Sequence, residues 1–408
     1  MKRVVLILLL FPSIWCAAAP GGDRGAIQNL TLDQAIQIAL TNHPHLAEAH
    51  ANIEAARARA SAAGRLPNPE AVVRMESAPL SSGTTSDAEY LAGISQTIPL
   101  GRRISAARQV EEAAVRSREK ELEASALRLT ISVRSAFATA LYASAVLKAQ
   151  TNLGANLQQL VRITKAWVDY GDAPALDLAR QKLEEAEQRL QIKEAAHLQH
   201  EALDALAAAL GDIRVPIQSL AGNLEESLAI EEIRGSAIAV NTHPGIAAME
   251  SAAAAQRARV RLAKAERIPD VNLDLFYRRL QGTRENAFDV GVRVPIPVFG
   301  KTRSRVREAE SELRAAEARL ESTRNEIGHE LHARELALQR ALETADLLKT
   351  EVLPKVSAIL RGAEARYAAG DISLSELMVT RREATASQMK YMESLRSVME
   401  AWAGLNSR

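Results

Sequence analysis

Between Gly101 and Tyr170 the chain runs 70 residues without a proline, and its only internal glycine is Gly154. The stretch is crowded with Ala, Glu, Arg, Leu and Gln, all good helix formers. As one helix it would make a rod of about 100 Å, whereas the usual globular helix has about 11–12 residues. A rod of that length cannot bury itself. Its apolar positions, among them Val110, Ala114, Leu127, Ile131, Ala138, Leu141 and Leu147, are small or scattered. That suits close lengthwise packing against other helices, which the rest of the chain must supply.

The chain supplies a second rod by repeating itself. Asn42-His43-Pro44 returns as Thr242-His243-Pro244, and Arg65-Leu66-Pro67 as Arg267-Ile268-Pro269. Ile98-Pro99 returns as Ile296-Pro297, Gly101 as Gly300, and Gly171-Asp172 as Gly370-Asp371. These landmarks recur in one order at a spacing of 198 to 202 residues. The chain therefore reads as two tandem copies of one unit. Residues 1–19 form a signal peptide, 20–211 the first repeat, 212–242 a connector and 243–408 the second repeat.

Each unit has the same order. A short helix, Leu32 to Asn42 in the first copy, ends at His43-Pro44. A second helix runs from about Pro44 to Gly64, with Ala51, Ala55, Ala58 and Ala62 at helical spacing as its expected stripe. Pro67 and Pro69 stop it. Two short strands follow, near 70–78 and 89–97, joined by a loop rich in Ser, Gly and Thr. Then come the rod at about 101–170, a break at 171–174 and a return helix from Ala175 to about Leu210. The second copy has a helix from Pro244 to Arg267, strands near 270–280 and 286–295, a rod at about 301–368, a break at 369–373 and a return helix to about Gly404.

The strands constrain location. Val271, Leu273, Leu275 and Tyr277 alternate with Asn272, Asp274, Phe276 and Arg278. Phe288, Val290, Val292 and Val294 alternate with Asp289, Gly291 and Arg293. One face is apolar and the other largely charged. Segments of about 9–11 residues cross a bilayer when tilted, but bacterial outer-membrane barrels need at least about 8 strands, and open edges do not survive in lipid. If these four strands span a membrane, several chains must complete the barrel. The alternative is a pair of soluble hairpins capping a helical bundle.

Composition agrees with export and with thin helical packing. Met1-Lys2-Arg3, the apolar run Val4 to Trp15 and Ala17-Ala18-Ala19 read as a secretory signal. The sole cysteine, Cys16, closes that segment. Lipidation there is one reading; Trp15 before it argues for simple cleavage, which leaves no disulfide to hold the mature chain. The sequence has 75 alanines and 3% aromatics, so Ala-lined seams are expected where a compact core would use larger side chains. A net charge of +1 argues against nucleic acid as a partner. Charged residues at 25%, with no uninterrupted run of 18 apolar residues after the signal, argue against a helical membrane protein.

The order of helix, hairpin, very long helix, tip and return helix, twice over, resembles the TolC family of outer-membrane efflux channels across nearly all of the mature chain. Three stretches look like the heavy-metal branch typified by CzcC: Gly64-Arg65-Leu66-Pro67-Asn68-Pro69-Glu70, Ser95-Gln96-Thr97-Ile98-Pro99-Leu100-Gly101-Arg102-Arg103, and Val294-Pro295-Ile296-Pro297-Val298-Phe299-Gly300-Lys301. The resemblance implies a mainly α fold with a small β part. Three chains would form a homotrimer with a 12-strand barrel in outer-membrane lipid and an α-helical tunnel across the periplasm. It implies a passive exit duct for heavy-metal cations, partnered by a periplasmic adaptor and an inner-membrane RND-type pump. The rivals are a duct for drugs or secreted proteins, and a periplasmic coiled-coil scaffold without a pore.

The resemblance also carries site residues. Gly171, Asp172, Gly370 and Asp371 look like the periplasmic tips that meet the adaptor. Asp177 and Glu376, each six residues beyond a tip glycine, match acids that ring the tunnel's closed end. Tyr367 matches a tyrosine that latches it, and Ile372 stands where the family usually has arginine. The plain alternative for Asp177 and Glu376 is a solvated acid in a first helical turn, favoured by the helix dipole. Gly154 and Pro354 correspond at a spacing of 200 residues, and a proline inside a helix bends it. Both mark an expected bend.

No enzyme reading competes. His329-Glu330-Leu331-His332 is not His-Glu-x-x-His, and His197 with His200 has the same three-residue step; both read as solvated helix surface. No phosphate-binding loop, nucleophilic triad, cofactor site or resident metal site is expected.

Overall fold

The computed structural model describes residues 27–76, 88–171, 173–211, 216–222, 224, 240–296, 298 and 300–405. The signal peptide with Cys16, the tip residue Asp172 and most of the connector lie outside that set.

The first repeat contains α1 (Leu32–Asn42), α2 (Pro44–Ala63), β1 (Glu70–Glu76), β2 (Glu89–Ile98), α3 (Arg103–Tyr170) and α4 (Ala175–Ala209). After a short 3-10 turn, Val240–Thr242, the second has α5 (Pro244–Ala265), β3 (Val271–Leu280) and β4 (Asn286–Arg293). It ends with α6 (Lys301–Leu347), α7 (Leu353–Ala368) and α8 (Leu374–Ala403). At 68 residues, α3 is unbroken and about 100 Å long. The second rod is not one α-helix: a π turn, Leu348–Val352, separates α6 from α7.

Local chemistry sets these ends. Thr31 closes a capping box with Gln34 at the start of α1. His43 and His243 each precede a proline at the first helical position, and each imidazole Nδ1 accepts from the backbone two residues on, at 3.2 Å from His45 and 3.0 Å from Gly245. α3 ends at Gly171, whose φ of +84° needs a residue without Cβ strain.

α3 is the common partner. Its upper part packs on α2 and α5, and its lower part on α4 and α8. The largest core cluster sits midway, where Val133, Phe137, Ala138 and Leu141 of α3 meet Leu206 of α4, Leu331 and Leu338 of α6, and Leu395 and Val398 of α8. Ile27 and Leu30 bridge in parallel to Ile217 and Leu220, so the described part of the connector lies against the segment before α1. By length and composition α3 could cross a membrane, yet its apolar centre is the inside of this core.

One expected stripe is rotated. Ala51, Ala55, Ala58 and Ala62 of α2 are exposed, and Leu46, Ile53 and Ala56 are buried instead. Leu and Ile remove more apolar area from water than alanine does, so they fix the helix phase.

Phe137 is 1% exposed, so Phe137→Ala should cost about 3–5 kcal/mol, read as a lowered melting temperature in detergent. Burial pushes the His43 and His243 imidazoles below their ordinary value, with His45 adding to the effect at His43. The neutral ring is thus the folded form. The stability it contributes is complete above a pH of about 6.5 and is lost as pH falls through the lowered folded value. Asparagine caps helices without titrating, so the double variant H43N/H243N should flatten the acid limb of melting temperature against pH.

Candidate functional site

The four strands form one antiparallel sheet in the order β1-β2-β3-β4. The two hairpins are therefore joined, because β2 pairs with β3 from Glu89 opposite Leu280 to Ile98 opposite Val271. Among the described residues β1 and β4 are left as outer edges with one unpaired side each.

The pleat sorts the side chains. One face carries Val73 and Met75 of β1, Tyr90 and Ile94 of β2, Leu273, Leu275 and Tyr277 of β3, and Phe288, Val290 and Val292 of β4, all exposed. The opposite face is a hydrogen-bonded polar network. Asp274 accepts from Ser95 Oγ at 2.6 Å and from Arg293 at 2.8 Å. Thr97 donates to Asn272 at 2.7 Å, and Arg278 pairs with both Glu89 and Asp289. Gly93 sits on this face because a Cβ there would come within 2.1 Å of the Leu275 carbonyl oxygen. An exposed apolar face backed by paired charges inverts the usual soluble order, in which water meets the polar side.

At the other end of the molecule the two tips lie together. Arg180 Nη1 of α4 reaches Ser375 Oγ of α8 at 3.4 Å, and Arg382 donates to Glu184 at 3.1 Å. Gly171 and Gly370 both have positive φ and open space where a side chain would stand; Asp371 is exposed beside Gly370. Asp177 is half-buried and Glu376 exposed, each in a first turn and without an ion pair among the described residues. Glu376 follows a Ser373 cap whose hydroxyl accepts from its backbone at 3.2 Å. Among the described residues Tyr367 has no charged partner. Its ring lies 6.0 Å from that of Trp167, against the cluster of Leu157, Leu160, Leu374 and Met378. Ile372 is buried here too.

The structure treats Gly154 and Pro354 differently. Gly154 is in the unbroken part of α3, where a Cβ would come within 2.8 Å of Ile192 Cδ1, so it permits a close α3–α4 approach. Pro354 is the second residue of α7, directly after the π turn, whose wider ring accommodates a residue that lacks an N–H. Sequence reasoning missed Thr164 and Gln181, 1% exposed near the tip with side-chain atoms that lack a hydrogen-bond partner among the described residues. Polar residues on a seam of alanines and leucines were the available signal. His197, His200, His329 and His332 are exposed on α4 and α6. Among the described residues no group of three or more His, Cys, Asp or Glu is placed to hold a metal ion.

The outer membrane efflux protein family matches residues 35–212 and 237–407, which is most of both repeats. The chain belongs to that family. The cobalt-zinc-cadmium resistance protein CzcC of Cupriavidus metallidurans is 24% identical over 399 residues, covering 94% of this chain and 90% of CzcC. The nickel and cobalt resistance protein CnrC of the same organism is 28% identical over 339 residues, covering 80% and 78%. Among solved structures, CusC matches with a TM-score of 0.78 at 18% identity, over 96% of this chain and 94% of that one. The outer membrane protein VceC of Vibrio cholerae matches with a TM-score of 0.71 at 19% identity, over 92% and 94%. The mainly helical fold with its small sheet is thus that of the TolC-like channels. Membership of this efflux family, a family of ducts, implies an outer-membrane location.

Adjacent residues test the two faces of the sheet. Val73 is 84% exposed on the apolar face, and Val72 points to the polar one. Val73→Arg should cost about 2–4 kcal/mol near the bilayer centre and deplete the protein extracted from outer membranes by detergent. Val72→Arg should leave that yield near wild type.

Proposed function

We propose that this chain is the exit duct of a tripartite efflux system for heavy-metal cations. It acts as a homotrimer that docks onto a periplasmic adaptor and an RND-type inner-membrane pump. The observation that carries the reading is the open four-stranded sheet, with its exposed apolar face and two unpaired edges, in a member of the outer membrane efflux family. Three copies supply twelve strands, enough to close a barrel without edges. The paired charges then line its lumen. The curated relatives CzcC and CnrC are named for resistance to cobalt, zinc, cadmium and nickel, which supports metal cations as cargo. In this reading the pump supplies energy and selects the metal, and the duct does no chemistry.

The domain division follows: each repeat contributes one hairpin to the barrel and one helix pair to the tunnel, with residues 212–242 as the connector between them. The tips at Gly171, Asp172, Gly370 and Asp371 meet the adaptor. Asp177 and Glu376 of three chains ring the aperture, where crowded carboxylates favour cations. Tyr367 helps hold the aperture shut through its apolar contacts with Trp167 and Leu374. The partnerless Thr164 and Gln181 weaken the same seam, since a buried unsatisfied polar group costs about 1–3 kcal/mol. The π turn before Pro354, with Gly154 opposite in the repeat, marks the level of bending.

Loss of the gene should sensitise cells to cobalt, zinc, cadmium, copper or silver and leave antibiotic susceptibility unchanged; the reverse pattern would assign the duct to drugs. In planar bilayers D177N/E376N should move the reversal potential in a salt gradient toward zero. Pro354→Ala should alter channel opening, and unchanged conductance and efflux would remove the bend from this account.

A further inference from the structure

The joint between sheet and helices carries a surface that the duct reading does not use. The two joints form one ledge. Gly101 lies so close to the second repeat that a Cβ there would come within 2.8 Å of Ile268 Cδ1. Arg103 of α3 pairs with Asp270 and reaches Glu266 at 3.7 Å, and Arg305 of α6 reaches Glu266 at 3.7 Å. Gln96 of β2 donates to the Pro67 carbonyl at 2.9 Å, which draws the 65–69 segment to the same level.

Two kinds of side chain are left over on this ledge. Leu66, Ile268, Val294 and Ile296 are exposed, and Val294 keeps the two-residue phase that puts Val290 and Val292 on the apolar face of the sheet. Beside them Arg65, Arg102, Arg267, Lys301, Arg303 and Arg307 are exposed, with no ion-pair partner among the described residues. Across residues 64–70, 99–108, 265–271 and 294–308, the carboxylates in the same state are Glu70 and Glu308. The excess is repeated by the duplication itself, Arg65 answering to Arg267 and Arg102 to Lys301.

We propose that this ledge binds the headgroups of anionic glycerophospholipids in the leaflet facing the helices. The inference rests on the barrel reading above. Apolar residues continuous with a lipid-facing sheet sink into the interface, and long basic side chains extend from there to the headgroups. Five of the six free cations are arginines, whose planar fork matches a phosphate better than the lysine point charge does. Basic clusters directly flanking a membrane-crossing segment are drawn to anionic lipid, at about fivefold in partition per residue. A free phosphate would meet the charges but make no use of the apolar rim.

The test uses the detergent-purified full-length protein, wild type beside R65Q/R267Q/R303Q/R307Q and the matching four-lysine variant. Each is reconstituted into vesicles of phosphatidylethanolamine alone or with phosphatidylglycerol, and bound lipid is counted by native mass spectrometry. Wild type should retain phosphatidylglycerol at least tenfold over phosphatidylethanolamine, and excess inorganic phosphate should not displace it. The glutamine variant should lose that preference with its conductance unchanged, and the lysine variant should keep most of it. Equal retention of both lipids by a conducting wild type, displacement by inorganic phosphate, or full preference in the glutamine variant would each overturn the inference while leaving the duct intact. A wild-type protein that stays soluble without detergent and never conducts would instead remove the barrel reading, and this inference with it.

Discussion

Backbone hydrogen bonding along the sheet is the constraint from which the rest follows. Each residue of an edge strand presents an N–H and a C=O that must find partners, and hydrocarbon offers none. β2 and β3 solve the problem for each other, which ties the two repeats at their tops. β1 and β4 cannot reach each other, because the sheet between them holds two further strands. A single chain therefore carries two open edges, which is why the proposed duct calls for sister copies.

The helices inherit that incompleteness. α3 is enclosed by five others and buries residues along most of its length, from Ala106 to Thr164. The core is widest midway and thins toward the tip, where Leu157, Leu160, Leu374 and Met378 form a small separate cluster. At the midway level Tyr142 of α3 packs against the largest core cluster and is held by Glu393 and Arg396 of α8. Hydrogen bonding and proximity to Arg396 keep the Glu393 carboxyl below its usual range, and burial and Glu393 push the Tyr142 phenol up. The Arg396 guanidinium, paired with Glu393 and Glu400 within α8, lies over the Tyr142 ring at 5.4 Å and so joins the second repeat to the first. It sits above the tip, where Tyr367 and Trp167 meet by apolar contact alone.

Much of this was legible in the sequence, because the signals were long or doubled. The absence of proline from 101 to 170, the period-two pattern at 271–277 and the paired landmarks near 43 and 243 each depend on backbone physics that tertiary context seldom overrides. The pairing of β2 with β3 was not legible, since alternation fixes which face a residue takes and not which strand lies beside it. The phase of α2 is not set by its alanine spacing, because Ile53 removes more apolar area from water than Ala55 would. Around the tip the sequence marked Tyr367, Asp177 and Glu376 only through likeness to a family. It gave no sign that Tyr367 would settle among apolar side chains, an outcome fixed by Trp167, about 200 residues away in the chain.

The duplication also shows how two similar units come to differ. The first rod lies in the middle of the chain's own helices and can be a plain α-helix, with Gly154 pressed against Ile192. The second lies at the margin. α6 buries only Ala309, Leu331, Leu338 and Ala345, and α7 buries no residue at all. A helix so little enclosed is free to carry a proline and a π turn, because few packed neighbours enforce the regular hydrogen-bond ladder. Its exposed Leu347 and Ile359 are apolar surface that this chain leaves uncovered. Leu176, Leu183 and Leu190 on α4 recur every seven residues on the other flank and are equally exposed. A seven-residue step is the spacing at which one helix seats against another over several turns. In the proposed trimer, the closure that removes the strand edges at one end would bring these two flanks together at the other, so sheet and helices would place the same demand on a sister copy.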